Sequence, residues 1–217
     1  MPRVFVRAVV PLLLVATLLV PEAGPASPDA PGQRVSIQAR PPITRAAVPV
    51  TLIGEVERRR AGETVTIQAK DCGQPAYTEV EGATTSADGV WRTEYWPGVN
   101  TTLRAVWDNN ISTTITLGQQ AWVQLQRLAS GRFYVGVHGK RPVWRKHVLV
   151  QQRRSGAWRT IRKVVLTEQI ALGQTGAVAT YATFKPTVLR STLIRAILPR
   201  SQARPCYLAG ASESRRT

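Results

Sequence analysis

His138 and His147 are the only two imidazoles in this 217-residue chain, and neither has neighbours suited to catalysis. Acid–base or nucleophilic chemistry needs a base positioned beside a nucleophile or a metal. His138 alternates away from Phe133, Val135 and Val137, which places it towards solvent or a sheet neighbour. His147 follows Arg145 and Lys146, whose charges oppose its protonation. The sequence has no H-E-x-x-H, G-x-S-x-G, phosphate-binding loop or dinucleotide turn. It has no Asp/Glu loop with calcium spacing and no carboxylate pair placed for glycoside hydrolysis. The two cysteines, Cys72 and Cys206, make no zinc site without supporting histidines. These features predict a non-enzyme with no cofactor and no metal.

Charge is the chemistry that remains. Residues 27–118 carry 9 basic and 10 acidic side chains, whereas residues 119–217 carry 18 and 2, the two acids being Glu168 and Glu213. Arg145, Lys146, Arg153, Arg154, Arg159, Arg162 and Lys163 gather around one hairpin. The arginine fork grips phosphate or carboxylate in bidentate fashion. The expected partner is an anionic cell-wall polymer or glycan, and the alternative is a solvated basic face with no dedicated ligand. Charge of this kind also binds DNA without specificity, so no specific nucleic acid is expected. Of the six tryptophans, Trp91, Trp107 and Trp158 are expected in core or half-core positions. Trp96, beside Pro97-Gly98, and Trp144, beside Pro142, stand at strand ends and are the candidates for stacking on a sugar. That defines a second binding class, a carbohydrate-binding module.

The N-terminus sets the compartment. Arg3 and Arg7 precede the apolar run Ala8–Val20, and polar sequence follows Ala26, so residues 1–26 read as a signal peptide. The run is shorter than the roughly 20 residues a membrane helix needs. An uncleaved N-terminal anchor is the alternative. The mature chain is expected to be secreted or held in the envelope, with no membrane span after cleavage. Export permits a Cys72–Cys206 bridge, although two free buried thiols fit the sequence equally.

The elements that must carry these residues are strands. Apolar residues alternate in twos, with Gly, Pro, Asn and Asp between the runs. Residues 33–118 hold about seven short strands, among them Val65 to Gln68, Val90 to Trp96 and Leu103 to Trp107. Residues 119–217 repeat the plan, and the hairpin from His147 through Arg154-Ser155-Gly156-Ala157 to Leu166 is its clearest element. Val65-x-Ile67-Gln68-x-Lys70 aligns with Val148-x-Val150-Gln151-x-Arg153, and Thr101 to Val106 aligns with Ser191 to Ile197. Gly118-Gln119-Gln120 is the expected linker.

Three segments, Gly62 to Gln68, Thr84 to Trp91 and Thr102 to Trp107, resemble the tandem Ig-like β-sandwich modules of exported bacterial proteins, notably of actinobacteria. Val148 to Trp158, Thr192 to Ala196 and Tyr207 to Gly210 extend the resemblance, which covers about residues 33–212. It implies an all-β chain of two consecutive Ig-like antiparallel sandwiches, residues 33–118 near neutral and residues 119–217 strongly basic. Such modules serve as spacers, adhesins and binding units, so the resemblance implies a fold more than an activity. The tail, Ser212 to Thr217, departs from it. This tail is short and polar where a closing strand is expected, which predicts a weak edge.

Overall fold

Segments that are apolar at every second position bury one face only, so they must pair into sheets and stack on one another. The computed structural model describes residues 34–217 apart from 46–47, 174–175 and 189–190. The expected signal peptide, residues 1–26, lies outside the described residues. The first half contains β1 (Gln38–Arg40), β2 (Ile43–Arg45), β3 (Val50–Glu55), β4 (Thr64–Asp71), β5 (Thr78–Thr84), β6 (Val90–Tyr95), β7 (Thr101–Trp107), β8 (Asn110–Ile111) and β9 (Ile115–Gln120). The second contains β10 (Trp122–Arg127), β11 (Phe133–Gly139), β12 (His147–Arg154), β13 (Ala157–Val165), β14 (Glu168–Leu172), β15 (Ala177–Phe184) and β16 (Leu193–Leu198). A single helical turn, α1 (Arg200–Ala203), precedes β17 (Gly210–Ala211) and β18 (Arg215–Arg216).

In the first half, sheet β1-β3-β6 and sheet β2-β9-β7-β4-β5 enclose one core. Val50, Leu52 and Trp91 enter it from the smaller sheet, and Val65, Ile67, Leu103 and Leu117 from the larger. The backbone must come very close to Trp91, because a Cβ at Gly54 would collide with the indole ring and with the Ser36 carbonyl. Pro41 and Pro42 lack the N–H a ladder needs, and between them and β2 the chain leaves β3 and joins β9 in the parallel sense. In the second half, β10-β11-β15-β14 and β13-β12-β16-β17 enclose another core, built from Val135 and Phe184 on one side and Val148, Val150, Ile194 and Leu198 on the other. Both strand orders are consistent with an Ig-like β-sandwich.

The internal repeat holds at the level of single hydrogen bonds. The β4–β5 register shifts between Ile67 and Gln68, and the β12–β13 register shifts between Val150 and Gln151, so both hairpins are bulged at the same point. Arg104 Nε donates to Gln68 Oε1 at 2.9 Å, and Arg195 Nε donates to Gln151 Oε1 at 3.0 Å. Ser112 Oγ accepts from Ala105 N at 2.8 Å, and Ser212 Oγ accepts from Ala196 N at 2.9 Å. Each serine also donates to the next residue's carbonyl.

One expectation needs correction. The tail is not a loose edge. β17 and β18 both pair with β16, and Ser212 sits buried between them. Gly118-Gln119-Gln120, the expected linker, is itself the end of β9, with Ala121 alone separating it from β10. Gln119 is buried, its N–H donating to Asn100 Oδ1 and its carbonyl accepting from Leu208 N. Trp91 is 1% exposed in the first core, and Trp158 lies half-buried opposite Arg153 in β13.

Candidate binding site

β12 and β13 present the basic hairpin, and strand alternation distributes its charges instead of pooling them. Val148, Val150 and Gln152 are buried, so Gln151 and Arg153 point to the opposite face. Arg153 and Arg195 lie over the Trp158 ring at 5.9 and 4.3 Å. Arg159 pairs across from the buried Gln152 and lines a groove with Arg154, Ser155 and Thr187. Arg162 is turned to the other sheet, its Nη1 donating to the Lys185 carbonyl at 2.9 Å and its guanidinium 5.8 Å from the Phe184 ring. Lys163 stands opposite Leu149, nearer the start of β12. Arg145 and Lys146 lie at that far end, where their backbones bond Leu166. β12 is eight residues long, so its ends lie roughly 23 Å apart at about 3.3 Å per residue. Arg145 and Lys146 are therefore well separated from the residues near the turn, and the seven form two groups. None of the seven is in an ion pair among the described residues.

The far group meets the seam between the halves. Cys72 and Cys206 are disulfide-bonded across this seam. Lys140 Nζ contacts Asp71 Oδ2 at 2.6 Å, Asn100 N donates to the Cys206 carbonyl, and Asn100 Nδ2 donates to the Pro205 carbonyl at 2.7 Å. Trp144 lies in the β11–β12 connection, 50% exposed, with the Arg145 guanidinium 4.4 Å from its ring. Trp96 is 56% exposed just before Gly98, where a Cβ would touch the Lys140 side chain. Both candidate sugar-stacking rings thus belong to loops at this seam. Trp122, for which the sequence supplied no reading, is equally open, and its ring packs on His138 at 4.6 Å.

His138 is buried beneath Trp122, and burial lowers its pKa. His147 is held below its ordinary value first by burial and then by Lys163, against a smaller opposing hydrogen bond with Gln202. Both rings are therefore neutral near pH 7. Among the described residues no helix is long and apolar enough to cross a membrane, and no three His, Cys, Asp or Glu side chains are grouped to hold a metal ion.

No known protein family matches the chain, and no curated protein does. Among solved structures it matches the human OSCAR ligand-binding domain at 11% identity over 84% of this chain and 97% of that one. The TM-score is 0.26, too low to bear on fold or function.

Proposed function

We propose that the chain is a non-catalytic, exported interaction protein made of two consecutive sandwich domains, the second of which associates electrostatically with anionic polymers of the cell envelope. One observation carries this reading: residues 119–217 bear 18 basic and 2 acidic side chains, and the hairpin arginines and lysines are left without carboxylate partners among the described residues. Unneutralised arginines on a rigid sheet offer bidentate donors to phosphate or carboxylate. The disulfide supports export, because such bonds persist in oxidising compartments. Retention of the protein on anionic cell-wall material tests the reading. It should fall steeply between low and physiological salt, where the screening length shrinks to about 8 Å. Retention indifferent to salt overturns it.

The exposure of Trp96 and Trp144 favours one alternative, a neutral-glycan module. In that case Trp96→Ala or Trp144→Ala abolishes glycan binding at any ionic strength while leaving the fold intact.

A further inference from the structure

Where the β11–β12 connection meets residues 202–207, a cleft of about 150 Å³ opens at the seam. Its rim carries Arg141, Trp144, Lys146 and Arg204, and its buried floor includes Val143 and Tyr207. None of these three cations is in an ion pair among the described residues. The neighbouring carboxylate, Asp71, is already bound by Lys140.

The cleft is held from several directions. Tyr207 Oη accepts from Arg141 N at 2.9 Å and donates to the Arg141 carbonyl at 3.0 Å, fixing the backbone that carries one cation. Gln202 Oε1 accepts from His147 N at 3.2 Å, tying α1 to the start of β12. Cys206, also in the cleft wall, is covalently joined to Cys72 of the first half. Three cations and a half-exposed aromatic ring, one face of it beneath the Arg145 guanidinium, therefore line one place whose backbone is tied down, which the exposed hairpin does not provide. The volume is below the roughly 300–1,000 Å³ of a drug-sized site. It suits one anionic group and part of the ring that bears it.

We infer that this seam cleft is a subsite for a single acidic sugar unit, with Arg141, Lys146 and Arg204 receiving the carboxylate and Trp144 packing against the sugar ring. The inference rests on the electrostatic reading above, which the general basic surface can satisfy with no subsite at all.

The test is calorimetric titration of the disulfide-intact protein with trigalacturonate at physiological salt, alongside retention on polygalacturonate. We expect one trigalacturonate per chain, at least tenfold weaker binding in Arg141→Ala/Arg204→Ala, and severalfold weaker binding in Trp144→Ala. An Arg153→Ala/Arg159→Ala variant should keep the trimer affinity while losing part of the salt-dependent retention. Circular dichroism of each variant checks the fold. A glycerol-phosphate oligomer of matched charge separates the two sources of anion. It lacks a ring and should bind more weakly, and equal affinity would remove Trp144 from the site. Trimer binding unchanged in Arg141→Ala/Arg204→Ala, or no trimer binding by the wild-type protein, overturns the cleft. Polymer retention that persists and stays salt-dependent in that case leaves the broader reading standing, and its absence removes both.

Discussion

The outer faces of β4 and β12 carry the same arrangement in opposite electrostatic settings. In the first half Lys70 and Arg104 lie over the Tyr77 ring at 5.3 and 4.1 Å. In the second, Arg153 and Arg195 flank Trp158 at 5.9 and 4.3 Å. The adjoining edge strands then diverge, β5 bearing Glu79 and Glu81 and β13 bearing Arg159, Arg162 and Lys163. Substitutions at exposed positions of this kind usually change stability by no more than about 0.5 kcal/mol. A sheet edge can therefore change sign while the bulge, the glutamine–arginine bond and the aromatic clamp stay fixed. The scaffold and its electrostatics are separable.

The largest effects should come from the two cores. Leu103→Ala and Leu198→Ala each empty a fully buried position, and each should cost about 2–5 kcal/mol in urea denaturation. A large cost in one half and a negligible one in the other would break the equivalence of the two cores. Next comes the seam. Replacing Cys72 and Cys206 by serine should cost about 2–4 kcal/mol. It should also separate one unfolding transition into two, each followed by a tryptophan of its own half. A single unchanged transition would mean that the noncovalent seam suffices.

Alkaline pH sharpens the comparison. Burial, and then the Asp71 carboxylate, push Tyr95 in the first half up to about 12. The native state holds that proton more tightly than the unfolded chain does, so the associated stability is present below pH 10 and is lost as pH climbs towards 12. The loss should approach about 2 kcal/mol and vanish in Tyr95→Phe, as read by denaturation at a series of pH values. Tyr207, raised mainly by burial, should behave likewise in the second half.

Ser112→Ala and Ser212→Ala each leave a buried backbone N–H without its acceptor, and should cost about 1–3 kcal/mol to similar extents. Unequal costs would show that the shared geometry does different work in the two halves. The smallest effect belongs to the clamps. Tyr77→Ala and Trp158→Ala should each lose about 0.5–1 kcal/mol of cation–π attraction beyond ordinary burial. That increment is read from double-mutant cycles with Arg104 and Arg195.

The sequence disclosed what side-chain periodicity controls. Val65, Ile67, Val148 and Val150 announce their strands because every second residue is buried, and the aligned Gln68 and Gln151 proved to be the same residue structurally. β14 gave no such signal. Residues Glu168–Ala171 are exposed, and this edge strand is held by its backbone ladder to β15. The closing strands β17 and β18 are two residues each and depend on Ser212, a residue that composition ranks as loop. Of the seam, the sequence offered only the Cys72–Cys206 bridge, and that as one of two alternatives. Arg204 stands far along the chain from Arg141 and Lys146, and the alternation of β12 separates Arg153 from Arg159 although both belong to one hairpin. Distance along the chain concealed the cleft.

The disulfide joins residues 134 apart and so encloses all of β10 to β16 together with part of the first half. Tension applied between residue 34 and the C-terminus passes through the sulfur–sulfur link and bypasses everything between Cys72 and Cys206. A tethered molecule pulled to rupture would pay out only the segments flanking that loop, β17 and β18 among them, while the basic strands β10 to β16 stay inside the covalent ring.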